Sequence, residues 1–119
     1  MIFIGTDIVE VARIERLIDL YRNRFLKYIF TDLEIEFCIN KRFPSIHFSG
    51  KFAAKEAIKK AILSSNIINK ISLHDIEINN KSDGSPNISF LVDNFMIKQL
   101  SISISHTENY ATATAIAML

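Results

Sequence analysis

The spacing of hydrophobic and polar positions changes along the chain, and each change marks an element. Residues 2–4 are a short apolar run closed by Gly5, the pattern of a strand. Asp7 and Glu10 stand three apart before an apolar series, which reads as a capping box opening a helix at the end of that strand. Val11, Ile14, Leu17 or Ile18, and Tyr21 recur at helical spacing, with Arg13, Glu15 and Arg16 elsewhere, so the helix is predicted to run to about Asn23. Residues 25–30 read as an aromatic turn. Thr31 and Glu34 form a second capping box, opening a helix through Phe37, Cys38 and Ile39. Pro44 suits the first turn of a third, long helix over about 45–63, because a proline's missing N–H costs nothing there. Gly50 lies inside it at a cost of ~1 kcal/mol relative to Ala, which marks close packing or a close ligand.

After a polar linker over 64–70 the period shortens. Residues 73–78 alternate as a strand, 79–86 carry dense turn chemistry with Gly84 and Pro86, and 88–92 form the answering strand. Residues 93–100 leave room for about two helical turns. Residues 101–106 alternate strictly, 107–109 make a turn, and 110–116 alternate again with small residues. A strand, three helices and then strands predict an α+β fold: an N-terminal strand, helices including one long helix, and an antiparallel sheet, in a single domain over 1–119.

Composition narrows the function classes. The chain is 49% hydrophobic and 23% charged, enough apolar material for a packed core. A net charge of +1 gives no global field for nucleic acid, so no nucleic-acid partner is expected. No apolar run reaches the ~18 residues of a membrane span and the start lacks a basic signal region, so the expectation is a soluble cytoplasmic protein, or the mature form of an organellar one, with no membrane partner. Cys38 is the single cysteine; it sits on an apolar face and reads as a buried space-filler.

Four positions carry candidate chemistry. Asp7 is a helix N-cap or a metal ligand at a strand end. Glu56 and Lys60 are one helical turn apart, which is an ordinary ion pair or a carboxylate and a cation acting on one ligand. Lys51, Lys55 and Lys59 read as a solvated face, with Lys51 and Lys55 alternatively lining a phosphate pocket. His106 lies between Ser105 and Thr107, small polar residues able to donate to an anion. His47 and His74 read as structural or exposed. Two separated acids with cationic side chains suit Mg²⁺ and a pyrophosphate-bearing substrate, since Mg²⁺ takes one or two carboxylates plus substrate phosphates.

Five motifs in register span nearly the whole chain: Ile4-Gly-Thr-Asp-Ile-Val-Glu-Val-Ala-Arg-Ile14, Phe52-Ala-Ala-Lys-Glu-Ala57, Asp75-Ile-Glu-Ile78, Asp83-Gly-Ser-Pro86 and Ser103-Ile-Ser-His-Thr107. Together they closely resemble the small bacterial-type holo-[acyl-carrier-protein] synthases, a family of 4′-phosphopantetheinyl transferases. The resemblance implies that fold and transfer of phosphopantetheine from coenzyme A to a serine of apo acyl carrier protein, releasing adenosine 3′,5′-bisphosphate. It also implies a role in fatty-acid synthesis and a homotrimer with active sites between subunits. Asp7 and Glu56 would ligate Mg²⁺, Lys60 would contact the reacting phosphates, and His106 would sit by coenzyme A, from the adjacent subunit. Lys51, Gly84, Pro86, Ser105 and Thr107 would line coenzyme A, and Arg13 would face the carrier protein. A metal-bound water, a hydroxide or Glu56 would take the serine proton. Phe3, Lys51 and Ser85 depart from the family's usual Gly, Arg and basic residue. Two other readings of the same residues are a Mg²⁺-dependent phosphohydrolase acting on coenzyme A or a nucleotide, and a non-catalytic oligomeric interaction module.

Overall fold

A computed structural model describes residues 1–92 and 96–119. The elements are β1 (Ile2–Glu10), α1 (Val11–Tyr21), α2 (Asn23–Ile29), α3 (Asp32–Ile39), α4 (Pro44–Ser64), a 3₁₀ turn (Leu73–Asp75), β2 (Ile76–Asn80), β3 (Pro86–Phe90), β4 (Gln99–His106) and β5 (Tyr110–Met118). β1, β5 and β4 form an antiparallel sheet in that spatial order, and β2 and β3 form a separate antiparallel hairpin. The α+β fold class expected from the pattern is the one observed.

Helix α4 organises the molecule. It lies on the three-stranded sheet and also meets α1, α3 and β2. Ala53, Ala54, Ala57 and Ala61 are fully buried in it, and Ala113, Ala115 and Ala117 line the facing side of β5. Short side chains on both surfaces let helix and sheet come close. Gly5 marks the tightest point, because a Cβ there would fall 1.9 Å from the Ala57 carbonyl oxygen and 2.7 Å from the Ala61 nitrogen. Larger apolar groups, among them Phe30, Phe48, Ile58, Ile62, Ile76 and Ile78, complete the core.

Several local expectations change. β1 continues to Glu10 because its pairing with β5 runs through Glu10↔Tyr110, and the Val11 N–H then donates to the Asn109 carbonyl at 2.9 Å. Asp7 is therefore mid-strand, opposite Ala113, and caps no helix; Glu10 holds the N-cap position of α1 without a side-chain bond. Residues expected as an aromatic turn form helix α2, which buries Leu26 and Ile29 and follows Arg22 at φ 48°. The Thr31–Glu34 capping box is present in full: the Thr31 N–H donates to Glu34 Oε1 at 2.8 Å, and the Glu34 N–H donates to Thr31 Oγ1 at 3.4 Å. Pro44 opens α4 as expected. The two helical turns expected over 93–100 begin on residues outside those described, and Gln99 already belongs to β4.

Candidate functional site

α4 carries two chemically different groups of residues. At its N-terminal half His47, Gly50 and Lys51 line a cleft of about 410 Å³, closed by the β2–β3 hairpin and β4. His106, Gly84 and Pro86 line the same cleft, so four residues expected to act together, Lys51, Gly84, Pro86 and His106, meet there. Phe37, Asn80 and Ser103 complete its polar and aromatic lining, and among the described residues no Asp or Glu is in its walls. A second recess of about 520 Å³ between β3 and β4 shares Pro86 and Ile102 with it.

Lys51 is not on a solvated face. It is 5% exposed, and its Nζ donates to the Ile78 carbonyl at 2.6 Å and to Asn80 Oδ1 at 3.2 Å, 4.6 Å from the centroid of the Phe37 ring. Burial pulls its pKa below the ordinary lysine value, opposed by Cys38, Glu34 and Glu77. Asn80 in turn donates through Nδ2 to the Gly84 carbonyl at 3.2 Å, so it ties the lysine to the turn. Gly84 has φ +87°, the left-handed region where an L side chain is strained, which lets the Lys81–Ser85 turn close with the Lys81 N–H donating to the Ser85 carbonyl at 2.8 Å.

His106 ends β4 on the face that carries Ile102 and Ile104, toward α4, and its ring centroid is 6.3 Å from that of His47. His47 was expected to be structural or exposed; it is half-buried in this cleft, with Phe37 edge-on at 6.1 Å. Burial is the largest cause lowering the His47 pKa, followed by the cationic neighbours Lys41, His106 and Lys51. Ser105 and Thr107 are not in the cleft wall. Ser105 lies on the opposite face of β4, since strand neighbours alternate, and Thr107 Oγ1 accepts from the Asn109 and Tyr110 N–H groups at 3.2 and 3.1 Å to shape the β4–β5 turn.

The second group lies further along α4. Lys60 donates to Asp7 Oδ1 at 2.9 Å and to the Thr6 carbonyl at 3.0 Å. The ion pair expected between Glu56 and Lys60 is thus replaced by one between Lys60 and Asp7, whose side chains are 54% and 15% exposed. Asp7 reaches α4 because Gly5, two residues earlier, brings β1 against Ala57 and Ala61. Glu56, one turn before Lys60, is half-buried and has no ion pair among the described residues. Glu56 follows His47 by nine positions, about 13.5 Å along the axis at a helical rise of 1.5 Å per residue. Two carboxylates with unshared oxygens are a donor set that fits Mg²⁺, which keeps several waters and shares substrate phosphates. Among the described residues no three His, Cys, Asp or Glu side chains cluster as a full protein cage for a metal.

Sequence reading misses three contributors. His47, Asn80 and Phe37 reach the cleft from three elements, and only the i, i+4 spacing of His47 and Lys51 on a helix hints at a shared face. Lys55, expected on the solvated face, is 0% exposed; it pairs with Glu34 Oε1 at 2.5 Å and donates to the Ile29 and Leu73 carbonyls. Cys38 is a buried filler, and burial pushes its thiol up to about 12, far from a nucleophile at neutral pH. Arg13 is exposed on α1, away from the cleft walls.

A family model described as the 4′-phosphopantetheinyl transferase superfamily matches residues 3–115. The holo-[acyl-carrier-protein] synthase of Protochlamydia amoebophila is 44% identical over 116 residues, covering 95% of this chain and 94% of the relative. That of Chlamydia pneumoniae is 42% identical over 120 residues, covering 99% and 98%. Among solved structures, the Helicobacter pylori holo-[acyl-carrier-protein] synthase in complex with coenzyme A matches with a TM-score of 0.83 at 36% identity, covering 97% of this chain and 99% of that one. The Neisseria meningitidis synthase matches with a TM-score of 0.85 at 30% identity, over 100% of both chains.

Proposed function

This chain belongs to the 4′-phosphopantetheinyl transferase superfamily, and on that premise we propose that it is a holo-[acyl-carrier-protein] synthase using coenzyme A as donor and Mg²⁺ as cofactor. The observation that carries this reading is the division along α4: a cleft with two histidines, a buried lysine and no acid at one end, and Asp7, Glu56 and Lys60 at the other. Coenzyme A needs both kinds of surface. Its adenosine end carries a phosphate monoester that suits the acid-free cleft, and its pyrophosphate suits a cation held by carboxylates.

Asp7 and Glu56 would hold the Mg²⁺, which would supply charge neutralisation on the pyrophosphate oxygens. Lys60 has two of its three N–H groups engaged, by Asp7 and the Thr6 carbonyl, and keeps the third for a phosphate oxygen. The carrier serine oxygen attacks the β-phosphorus. The bond from that phosphorus to the bridging oxygen breaks, and adenosine 3′,5′-bisphosphate departs. Most of the rate comes from positioning and from charge neutralisation on the transferring group. The serine proton needs an acceptor, and the Glu56 carboxylate, free of ion pairs among the described residues, is the chain's own candidate. Arg13 faces the acidic carrier protein. The reading includes a homotrimer, a cytoplasmic setting and a place in fatty-acid synthesis.

The test incubates coenzyme A and Mg²⁺ with and without apo carrier protein and weighs the carrier by mass spectrometry. A carrier heavier by one phosphopantetheine, with adenosine bisphosphate released only in its presence, supports the transferase. Release without carrier shows a phosphohydrolase and overturns it. Glu56→Gln is expected to lose roughly 10²-fold or more in turnover, the scale of losing one group that stabilises transition-state charge. A Glu56→Gln enzyme with normal rate and normal Mg²⁺ dependence removes Glu56 from the site.

A further inference from the structure

The cleft brings a lysine and two histidines together from two elements. His47, Lys51 and His106 all line it, and among the described residues no carboxylate does. His47 is on α4 one turn before Lys51, and its ring is 6.3 Å from that of His106 on β4. The charged or titratable groups facing His47 are Lys41 beyond α3, Lys51 on its own helix and His106 from the sheet. All three oppose a proton on its ring, and partial burial opposes it further. Lys51 spends two N–H groups on Ile78 and Asn80, so the lysine alone cannot satisfy an incoming anion. A phosphate monoester carries about −1.5 to −2 charges at neutral pH and has several strong acceptor oxygens. Such a group in the cleft reverses the balance at His47.

Resting on the transferase reading, we infer that His47 is a binding residue for the phosphate monoester of coenzyme A and takes up a proton when that group enters the cleft. The proton comes from solvent; the ring nitrogen gains it and donates it in a hydrogen bond to a phosphate oxygen, and no covalent bond changes. In the free chain burial, followed by the cationic neighbours Lys41, His106 and Lys51, holds the His47 pKa below its ordinary value, which favours the neutral ring. In the complex the dianion stabilises the imidazolium. Binding of coenzyme A should therefore weaken as pH rises through neutrality, by an amount that depends on position 47.

Isothermal titration calorimetry of the intact protein with coenzyme A at pH 7, in buffers of different ionisation enthalpy, counts the protons taken up per site. The difference between wild type and His47→Phe cancels protons contributed by the ligand itself. The expected result is a wild-type uptake larger than that of His47→Phe by a substantial fraction of one proton. Binding by the variant should persist but be about fivefold to tenfold weaker, the loss of one charge-assisted hydrogen bond at a half-buried position. His47→Gln, which keeps a polar side chain, should show the same reduced uptake. With 3′-dephospho-coenzyme A the difference between wild type and His47→Phe should vanish. Equal uptake by wild type and both variants overturns the inference while leaving the transferase reading intact, and so does an undiminished difference with the dephospho ligand. If wild type binds no coenzyme A, the transferase reading fails and this inference fails with it.

Discussion

Lys55 lies immediately before Glu56 and has no contact with solvent. Its ammonium is held by the Glu34 carboxylate and by the Ile29 and Leu73 carbonyls. Glu34 also accepts the Thr31 N–H and, through Oε2, the Ile78 N–H at 2.8 Å. One ion pair thus joins the ends of α2 and α3, the 3₁₀ turn, β2 and the middle of α4. A buried pair of this kind adds little net stability over an apolar pair, but removing one partner leaves an unpaired charge in the core. Lys55→Met is expected to cost about 3–5 kcal/mol in urea unfolding. Adding Glu34→Gln should recover part of that loss, because it removes the unpaired carboxylate charge, although the single amide oxygen can accept from only one of the Thr31 and Ile78 N–H groups that Oε1 and Oε2 now serve separately. A single-variant loss below about 1 kcal/mol would show that the charge relaxes to water and that the pair does not fix α4.

The contact between β1 and α4 sets where Asp7 meets Lys60. Gly5 faces backbone atoms of Ala57 and Ala61, and backbone cannot swing aside as a long side chain can. Gly5→Ala should therefore lower stability by about 1–3 kcal/mol, the range for overpacking, and push β1 away from α4. Since Asp7 and Lys60 join across that same contact, Gly5→Ala should also lose coenzyme A turnover out of proportion to its unfolding, measured at a temperature where the variant remains folded. Turnover unchanged after Gly5→Ala would mean that the site tolerates a shift of the strand. The elements around this contact were legible to different degrees, for a physical reason. The Thr31–Glu34 box, Pro44 and the alternation of β4 and β5 depend on neighbours in sequence, and the structure has all three. The end of β1 was misread because pairing with β5 overrode a local capping pattern at Asp7 and Glu10. For Lys51 and Lys55 the spacing leaves open a wet face or the lining of a phosphate pocket, because their partners lie 18 to 29 positions away and helical spacing carries no trace of them. The cleft was half legible: motif resemblance picked out Lys51, Gly84, Pro86 and His106, while His47 lacked any sequence setting until β4 brought His106 beside it.

At the scale of the whole molecule, one face of the three-stranded sheet covers α4 and the other has no cover among the described residues. Ile2, Ile4 and Ile8 on β1 are 62%, 62% and 67% exposed, and Ile116 and Met118 on β5 are 45% and 37% exposed. These side chains share the outer face, because the residues that alternate with them, including Gly5, Val9, Ala115 and Ala117, are buried against the helix. Isolated exposed apolar residues need no explanation, but a contiguous group on a flat sheet favours association. The homotrimer proposed above would use this face and would bring the acid-free cleft of one chain toward the Asp7–Glu56–Lys60 group of another. Light scattering after size exclusion should give a mass of three chains for wild type. Ile4→Lys combined with Ile8→Lys puts two charges on each copy of the face and should yield monomers with an unchanged circular dichroism spectrum, since the helix-packed side of the sheet is untouched. Those monomers should transfer phosphopantetheine at least about 10²-fold more slowly, because positioning the reactants would then depend on chance encounter. A wild-type monomer at full activity, or a charged variant that is monomeric and equally fast, would show that one chain holds the entire site, with coenzyme A bridging both ends of α4.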